Sequence, residues 1–334
     1  MKRILALCLA LCCVFSVPLV RAGAEDDAPA YTGVTRVACN IRAEMDKNSA
    51  AVGQIPAGKR FDMYWCEPTW AYVRYNGKTG YIRRSCIEHA EPVDPSTTPP
   101  YGVEVYAYTA VMAGDAPVMS QIGGGETLIT LHEGARVALI GLENGWGKLV
   151  YHRQYAYIDS RCFASLLPTW RDAESAGTDA PIAAFVSFYK ITTDEANLGR
   201  MENIRVACEK MSQIVFQPGE GLDFNKQIGP YNKNNGYFPA IVLVDGKSTL
   251  GYGGGTCQVS STLYNTVLQL PGLTVTMRRA HGPSGASYLP HGVDAAVGNS
   301  KINFKFRNDY AFPVRIDASA QDGALYIALY KVQE

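Results

Sequence analysis

The run Gly253-Gly254-Gly255-Thr256-Cys257-Gln258 places three residues without side chains directly ahead of a thiol, and the thiol ahead of a helical pattern. Val259, Leu263, Thr266, Val267 and Leu270 share one face of that pattern, Thr256 suits its N-cap, and Pro271-Gly272 stops it. Cys257 therefore falls in the first helical turn. Unpaired backbone N–H groups and the positive end of the macrodipole favour a thiolate there, and the thiolate is the nucleophile. Glycines let the loop adopt dihedrals closed to other residues and let a substrate backbone lie against it. Backbone N–H groups near Gly254 and Gly255 can also meet an oxyanion on an attacked carbonyl. A phosphate cradle also puts glycines before a helix, but this run lacks Gly-Lys-Ser/Thr and the sixth-position glycine of a dinucleotide fingerprint. A structural cysteine behind a glycine turn fits the same residue types.

A cysteine nucleophile needs a base, and the base an orienting group. The chain has five histidines. His89, His132 and His152 lie in the first half, where exposed or strand-edge positions are the default. His281 and His291 lie downstream of Cys257 in "RRAHGPSGASYLPHGVDAAV", a Gly- and Pro-rich loop that also suits solvated turn residues. Asp294 can accept a hydrogen bond from an imidazole and fix its tautomer. Arg278 and Arg279 can pair with a substrate carboxylate or stand solvated at a strand end.

Positioning such groups takes a folded frame, and 334 residues suggest two or three domains. The content, 47% hydrophobic and 19% charged, supports real cores. A formal net charge of zero, without a basic cluster interleaved with aromatics, sets nucleic acid aside. "MKRILALCLALCCVFSVPLVRAGA" has a basic start, a short apolar stretch and the triplet Ala22-Gly23-Ala24. It reads as a signal peptide over 1–24, so the mature protein is expected to be secreted, with no later segment apolar enough to span a bilayer. Leu7 and Leu11, rather than small residues, precede Cys8 and Cys12, which argues against lipid attachment. Losing Lys2, Arg3 and Arg21 with the leader leaves the chain slightly acidic.

The mature cysteines are Cys39, Cys66, Cys86, Cys162, Cys208 and Cys257, an even set in an exported chain that can form disulfides. With neither C-x-x-C nor His-x-His, no metal site is expected, and no cofactor. If Cys257 is kept for chemistry, one of the other five stays unpaired; Cys39–Cys66 is one open pairing.

The first half repeats itself at an offset of 76: "WAYVRYNGKTGYIRRSC" from Trp70 matches "WGKLVYHRQYAYIDSRC" from Trp146. Backwards, Gly58 pairs with Gly134, Phe61 with Val137 and Met63 with Leu139. Alternating apolar runs broken by Asn76-Gly77 and Asn144-Gly145 predict small antiparallel β units, with Cys86 and Cys162 at equivalent strand ends. Pro-rich "EPVDPSTTPP" over 91–100 predicts an extended linker, and polar "RDAESAGTDAP" a second one, leaving anchor and working domain free to move apart. From Pro181 on, "AAFVSFYKI" reads as a strand. Leu198, Met201, Ile204, Cys208 and Met211 make a helical stripe with Thr193 as N-cap and Cys208 as a core thiol. "FPAIVLVDG", "LTVTMRR", "KINFKFRND" and "ALYIALYKV" read as strands, giving a mixed α/β or α+β domain.

The pattern "NIR…GQIPAGK…WAYVRYNGKTGYI" resembles the bacterial SH3-like domain, closely in the first copy and degenerately in the second, where "VMAGDAPVM" replaces the N-I-R stretch and His152-Arg153 the Asn-Gly turn. That resemblance implies barrels that hold a protein on peptidoglycan or another cell-wall polymer; a spacer barrel without ligand is the alternative for the second copy. The stretch from "RMENIRVACEKM" through "QPGEGLDFNKQIGPYNKNNGY", "GYGGGTCQVSSTLYNTVLQL", "RRAHGPSGASYLPHGVDAAV" and "INFKFRND" resembles the VanW family. Gly282, Ala296 and Leu222-Asp223 depart from its usual residues. The resemblance implies an L,D-transpeptidase of peptidoglycan with Cys257 as nucleophile, His281 as base and Asp294 as orienter. Gly254, Gly255, Gln258, Tyr264, Arg279 and His291 are the expected substrate-binding or oxyanion residues.

The resulting expectation is a multidomain, β-rich protein. A barrel spans 31–90, the linker 91–100, a degenerate barrel 101–168, a second linker 169–181 and a mixed α+β VanW-type domain 182–334. It would cross-link third-position residues of wall stem peptides. An L,D-carboxypeptidase, or a non-catalytic binder of stem peptides or of a protein partner, fits the same features.

Overall fold

A computed structural model describes residues 28–66, 70–96, 98–99, 105–244, 247–281, 286, 288–289 and 293–333. The leader expected over 1–24 lies outside them, as does His291. Among the described residues no helix is long and apolar enough to cross a membrane.

The first unit is a seven-stranded antiparallel sheet in which Tyr31–Thr35 pairs both with Arg60–Cys66 and with Ile87–Pro92. Alternation buries Tyr31, Ile41, Ile55, Phe61, Met63, Val73 and Ile82 in its own core. The hairpin between Trp70–Tyr75 and Lys78–Arg83 turns on Asn76 and Gly77, both left-handed at φ 49 and 72, the pairing that matches the strand twist. Beside Cys39 lies the thiol of Cys86, while the open Cys39–Cys66 pairing falls on a side chain outside the described ones. Burial first, then Cys86, pushes the Cys39 thiol up to about 12.

The second unit repeats these elements at the expected offset. Trp146–Tyr151 and Gln154–Asp159 stand for the hairpin strands, Ser160–Cys162 repeats the 3₁₀ turn Arg84–Cys86, and Phe163–Pro168 repeats Ile87–Pro92. His152 keeps the left-handed turn of Asn76 at φ 59. Here the strands divide into a five-stranded and a three-stranded sheet.

The third unit is built on a four-stranded antiparallel sheet of Ala183–Phe188, Ala324–Lys331, Val314–Gln321 and Val215–Phe216. Helix α1, Glu195–Met211, packs on it and buries Ile204, Cys208 and Met211. Its cap is Asp194, whose carboxylate accepts from Asn197 N at 3.2 Å, one residue beyond the expected Thr193. Leu198 leaves the predicted stripe and stands 45% exposed. Helix α2, Phe224–Ile228, is short; helix α3, Thr256–Val267, is the one that carries the cysteine.

The second barrel is not a separable spacer. Along Ala324–Lys331 the side chains alternate, Leu325, Ile327 and Leu329 entering the core under the helices, and Ala324, Tyr326 and Ala328 a core shared with the barrel. Both faces of the strand are therefore covered, which accounts for its unbroken apolar run. Phe185 meets Tyr106 at 5.1 Å and Phe188 meets Tyr151 at 4.9 Å between ring centroids. Arg136 of the barrel pairs with Asp317 at 2.6 Å. The polar stretch before the last domain, expected to be a free linker, is also packed down. Ala173 and Ala176 are buried in the third core, and Lys331 Nζ donates to the Glu174 carbonyl at 2.6 Å.

Candidate active site

Helix α3 begins at Gly255, left-handed at φ 107. Thr256, expected as the cap, is already helical, and its hydroxyl donates to the Gly253 carbonyl at 2.8 Å. The glycines answer to the protein's own packing. Gly253 is also left-handed, at φ 83, and a Cβ there would meet Tyr231 at 2.7 Å. One on Gly254 would lie 2.5 Å from the Ile241 carbonyl, and one on Gly255 2.9 Å from that of Arg200. The loop is thus pressed between α1 and the hairpin Pro239–Val244/Lys247–Tyr252, with Asn203 donating to the Gly254 carbonyl at 3.0 Å. Room for a substrate backbone is not what those positions provide.

Cys257 is a free, partly exposed thiol. Its Sγ contacts both backbone groups of Val297, the N–H at 3.4 Å and the carbonyl at 3.3 Å. The His281 side chain neighbours this thiol closely enough for Cys257 to raise the proton affinity of the imidazole ring. On the far side of that ring, Nδ1 lies 2.7 Å from Asp294 Oδ2, and the His281 backbone N–H reaches the same oxygen at 2.6 Å. Nδ1 being held this way leaves Nε2 for the sulfur.

Burial lowers the proton affinity of His281. The hydrogen bond to Asp294 and the neighbouring Cys257 outweigh it and push the imidazole up to about 9. Burial raises the Asp294 carboxyl, yet the His281 ring and backbone bonds and the nearby Arg278 hold it below the usual carboxylate range. The side chain of Asp294 is 3% exposed, so its orientation is tightly set. Cysteine, imidazole and carboxylate lie in succession, the imidazole hydrogen-bonded to the carboxylate and neighbouring the thiol, and they come from a helix start and two loop segments.

The polar residues of α3 that break its apolar pattern explain how the segment Val293–Val297 is fixed. Ser260 Oγ donates to the Ala295 carbonyl at 2.6 Å, Ser261 accepts from Ala295 N at 2.9 Å, and Asn265 donates to the Val293 carbonyl at 2.6 Å. These second partners escaped the sequence reading. The signal was present, since Ser260, Ser261 and Asn265 are too polar for a buried helix unless they bond a neighbouring chain.

Other expected site residues divide. The Gln258 amide is spent on the frame: its NH₂ donates to Ser187 Oγ at 3.0 Å and Phe188 O at 2.9 Å, and its oxygen accepts from Arg200 at 2.7 Å. Both amide hydrogens are taken, so it offers none to an oxyanion. Arg279 is exposed, and its carbonyl accepts from Ala296 N at 2.7 Å. Its neighbour Arg278 is the arginine of the site, donating to the Asp294 carbonyl at 2.6 Å and to Oδ1 at 3.0 Å. Arg278 also lies over the ring of Tyr264, 5.2 Å from its centroid, and Tyr264 packs edge-on against Phe304. Tyr264 thus supports Arg278 from below. The first-turn N–H groups of Thr256 and Gln258 are bonded to Gly253 and Gly255. Among the described residues, the Cys257 N–H has no such backbone acceptor outside the helix.

A β-rich chain with a terminal cysteine–histidine–carboxylate domain finds its counterparts in two family descriptions. Residues 199–330 match VanW like protein, and residues 20–88 match Bacterial SH3 domain. The protein therefore carries a VanW domain preceded by a bacterial SH3 domain. The uncharacterized protein YoaR of Bacillus subtilis (strain 168) is 37% identical over 137 residues, 41% of this chain and 45% of that protein. The vancomycin B-type resistance protein VanW of Enterococcus faecalis (strain ATCC 700802 / V583) is 30% identical over 143 residues, 39% of this chain and 52% of that one. The chain spans about half the length of the curated relatives it matches. The structure of NlpC2 from Trichomonas vaginalis is 11% identical, covering 92% of this chain and 99% of that one, but its TM-score of 0.18 carries no fold argument.

Proposed function

We propose that this is an exported, cell-wall-associated cysteine acyltransferase acting on peptidoglycan, an L,D-transpeptidase. The observation that carries the reading is the Cys257–His281–Asp294 succession, seated where the Gly-Gly-Gly-x-Cys-Gln run of the VanW domain enters helix α3. The Cys257 sulfur attacks the carbonyl of the L-centre residue in a wall stem peptide. The C–S bond forms and the peptide bond to the terminal D-amino acid breaks. His281 takes up the thiol proton and delivers it to the departing amine; Asp294 keeps the ring in the required tautomer.

The free amine of a neighbouring stem then attacks the thioester and loses its proton to His281. The product is an amide between third-position residues, and the thiol is restored. The Cys257 N–H, which has no backbone acceptor outside the helix among the described residues, is the donor suited to the oxyanion. Wall affinity would come from the first barrel, which raises the local substrate concentration without altering the chemistry.

The decisive experiment incubates purified mature protein with a stem tetrapeptide and looks for the acyl adduct on Cys257 by peptide mass spectrometry. Muropeptides from cells making the wild type or Cys257→Ala are separated in parallel. An adduct, together with third-position cross-links lost in the variant, is the expected result. Adduct with release of the D-amino acid but unchanged cross-links would make the enzyme a carboxypeptidase. Absence of an adduct, with stem peptide still bound, would make it a binder.

A further inference from the structure

We infer that the second barrel is a positioning element of the cysteine site, with Arg153 at its hairpin tip holding Ala286 and Leu289, which stand between His281 and Asp294 in the sequence. This rests on the function proposed for that site. The described residues between His281 and Asp294 include Ala286, Tyr288 and Leu289. Arg153 Nε donates to the Leu289 carbonyl and a terminal nitrogen to the Ala286 carbonyl, each at 3.4 Å. Leu289 is fully buried and Ala286 5% exposed, both inside the core that the barrel shares with the third domain. On the other side of Tyr288, the Arg200 guanidinium lies 5.9 Å from its ring centroid and Ser261 of α3 neighbours its hydroxyl. Ala286, Tyr288 and Leu289 thus lie between a barrel tip and the helices of the site.

The repeat sharpens the argument. The turn that carries Arg153 is equivalent to Asn76-Gly77 of the first barrel. His152 keeps the left-handed backbone of Asn76, while Arg153 replaces a glycine with a long cationic side chain. His152 itself stacks on Tyr151 at 4.4 Å, and Tyr151 lies against Phe188 of the third domain. A wall-binding turn has no evident need of this. A turn that must reach across to two carbonyls does, because guanidinium N–H groups form a fork suited to adjacent acceptors. Displacing a loop that carries a proton-transfer residue has large kinetic effects even when the fold survives.

The test uses the full mature protein and the variant Arg153→Gly, which installs the residue the first barrel carries in this turn. Arg161→Gln, on the same barrel and paired with Asp159 at the surface, is the control. The His281 ring is titrated by NMR and Cys257 alkylation by iodoacetamide is followed by peptide mass spectrometry across pH. In Arg153→Gly, the His281 midpoint is expected to fall from about 9 toward 6.5, and the Cys257 rate near neutrality to drop by about tenfold. Arg161→Gln should match wild type, and Arg153→Lys, which can satisfy one carbonyl, should lie between. A folded Arg153→Gly protein with wild-type titration and alkylation overturns the inference while leaving the site's function intact. A wild-type His281 that titrates at its ordinary value overturns the site reading and this inference together. Should Arg153→Gly fail to fold, Arg153→Lys decides alone, and wild-type behaviour there counts against the clamp.

Discussion

The two barrels follow one plan, yet they relate differently to the rest of the chain. The first closes its core on its own side chains, from Tyr31 to Ile82. The second opens its core onto Phe185, Phe188, Tyr326 and Ala328 of the third domain. Equivalent positions record the change. Arg60 is exposed, while Arg136 is paired with Asp317 and lies 4.8 Å from the ring centroid of Tyr326. The rings of Tyr64, Tyr72 and Tyr81 follow one another at tilted angles in the first barrel, with Arg74 over Tyr64; their counterparts are Ile140, Lys148 and Tyr157, with Val150 in place of Arg74. A repeated inward pattern fixes a repeated fold, and the outward positions alone decide whether the unit stands free or becomes part of its neighbour.

The largest effect expected from this contrast concerns Met63 and Leu139, one repeat position in two settings and both fully buried. Each truncation to alanine should cost about 2–5 kcal/mol. By calorimetry, Met63→Ala should lower a transition belonging to the first barrel alone. Leu139→Ala should lower the melting of the second barrel and the cysteine domain together. Two separate transitions for those last units would break the comparison.

Charge sharpens it next. The His281 imidazole is pushed up to about 9, so the folded protein holds a proton that the unfolded chain releases above 6.5. Stability from this group is full below pH 6.5 and is lost as pH rises through about 9, on the order of 3 kcal/mol over the window. In the first barrel the raised thiol is Cys39, at about 12 against 9.0. Its contribution is full below pH 9 and fades only above that. Melting between pH 6.5 and 9 should therefore weaken the fused unit, an effect removed by His281→Gln, while the first barrel stays level.

The ion pair comes third. Arg136→Met leaves Asp317, 18% exposed, without its partner and should cost about 1–3 kcal/mol, less than a fully buried pair because Arg136 is itself 26% exposed. Arg60→Met, at the equivalent exposed position, should stay within about 0.5 kcal/mol of wild type.

How much of this the sequence revealed follows the same division. Period-two alternation and the Trp70/Trp146 repeat gave the strands of both barrels, and the glycine–cysteine run gave the helix start, because these depend on neighbours along the chain. Cys257, His281 and Asp294 were legible through residue type and family resemblance. The spent amide of Gln258, the choice of Arg278 over Arg279 and the second barrel's attachment were not. Each depends on which way one side chain turns toward a segment distant in sequence, and alternation or composition carries no record of that. The glycines show the limit most plainly: their number pointed to an unusual backbone, but only the approach of Tyr231, Ile241 and Arg200 shows why a Cβ is excluded.

The smallest effect concerns the hairpin tips. Gly77 is left-handed at φ 72, with nothing within 4 Å of a built Cβ. Gly77→Arg, which copies the second barrel's turn into the first, therefore meets no clash and pays only for the backbone region, about 1 kcal/mol on the first barrel's transition. Arg153 avoids that strain because the left-handed turn in the second barrel falls on His152 alone. The same substitution should leave His281 titration and Cys257 alkylation untouched, since nothing in the first barrel's core is shared with the site. A change in either on Gly77→Arg would mean that the first barrel also bears on the cysteine domain, and the separation between free and fused barrels would not hold.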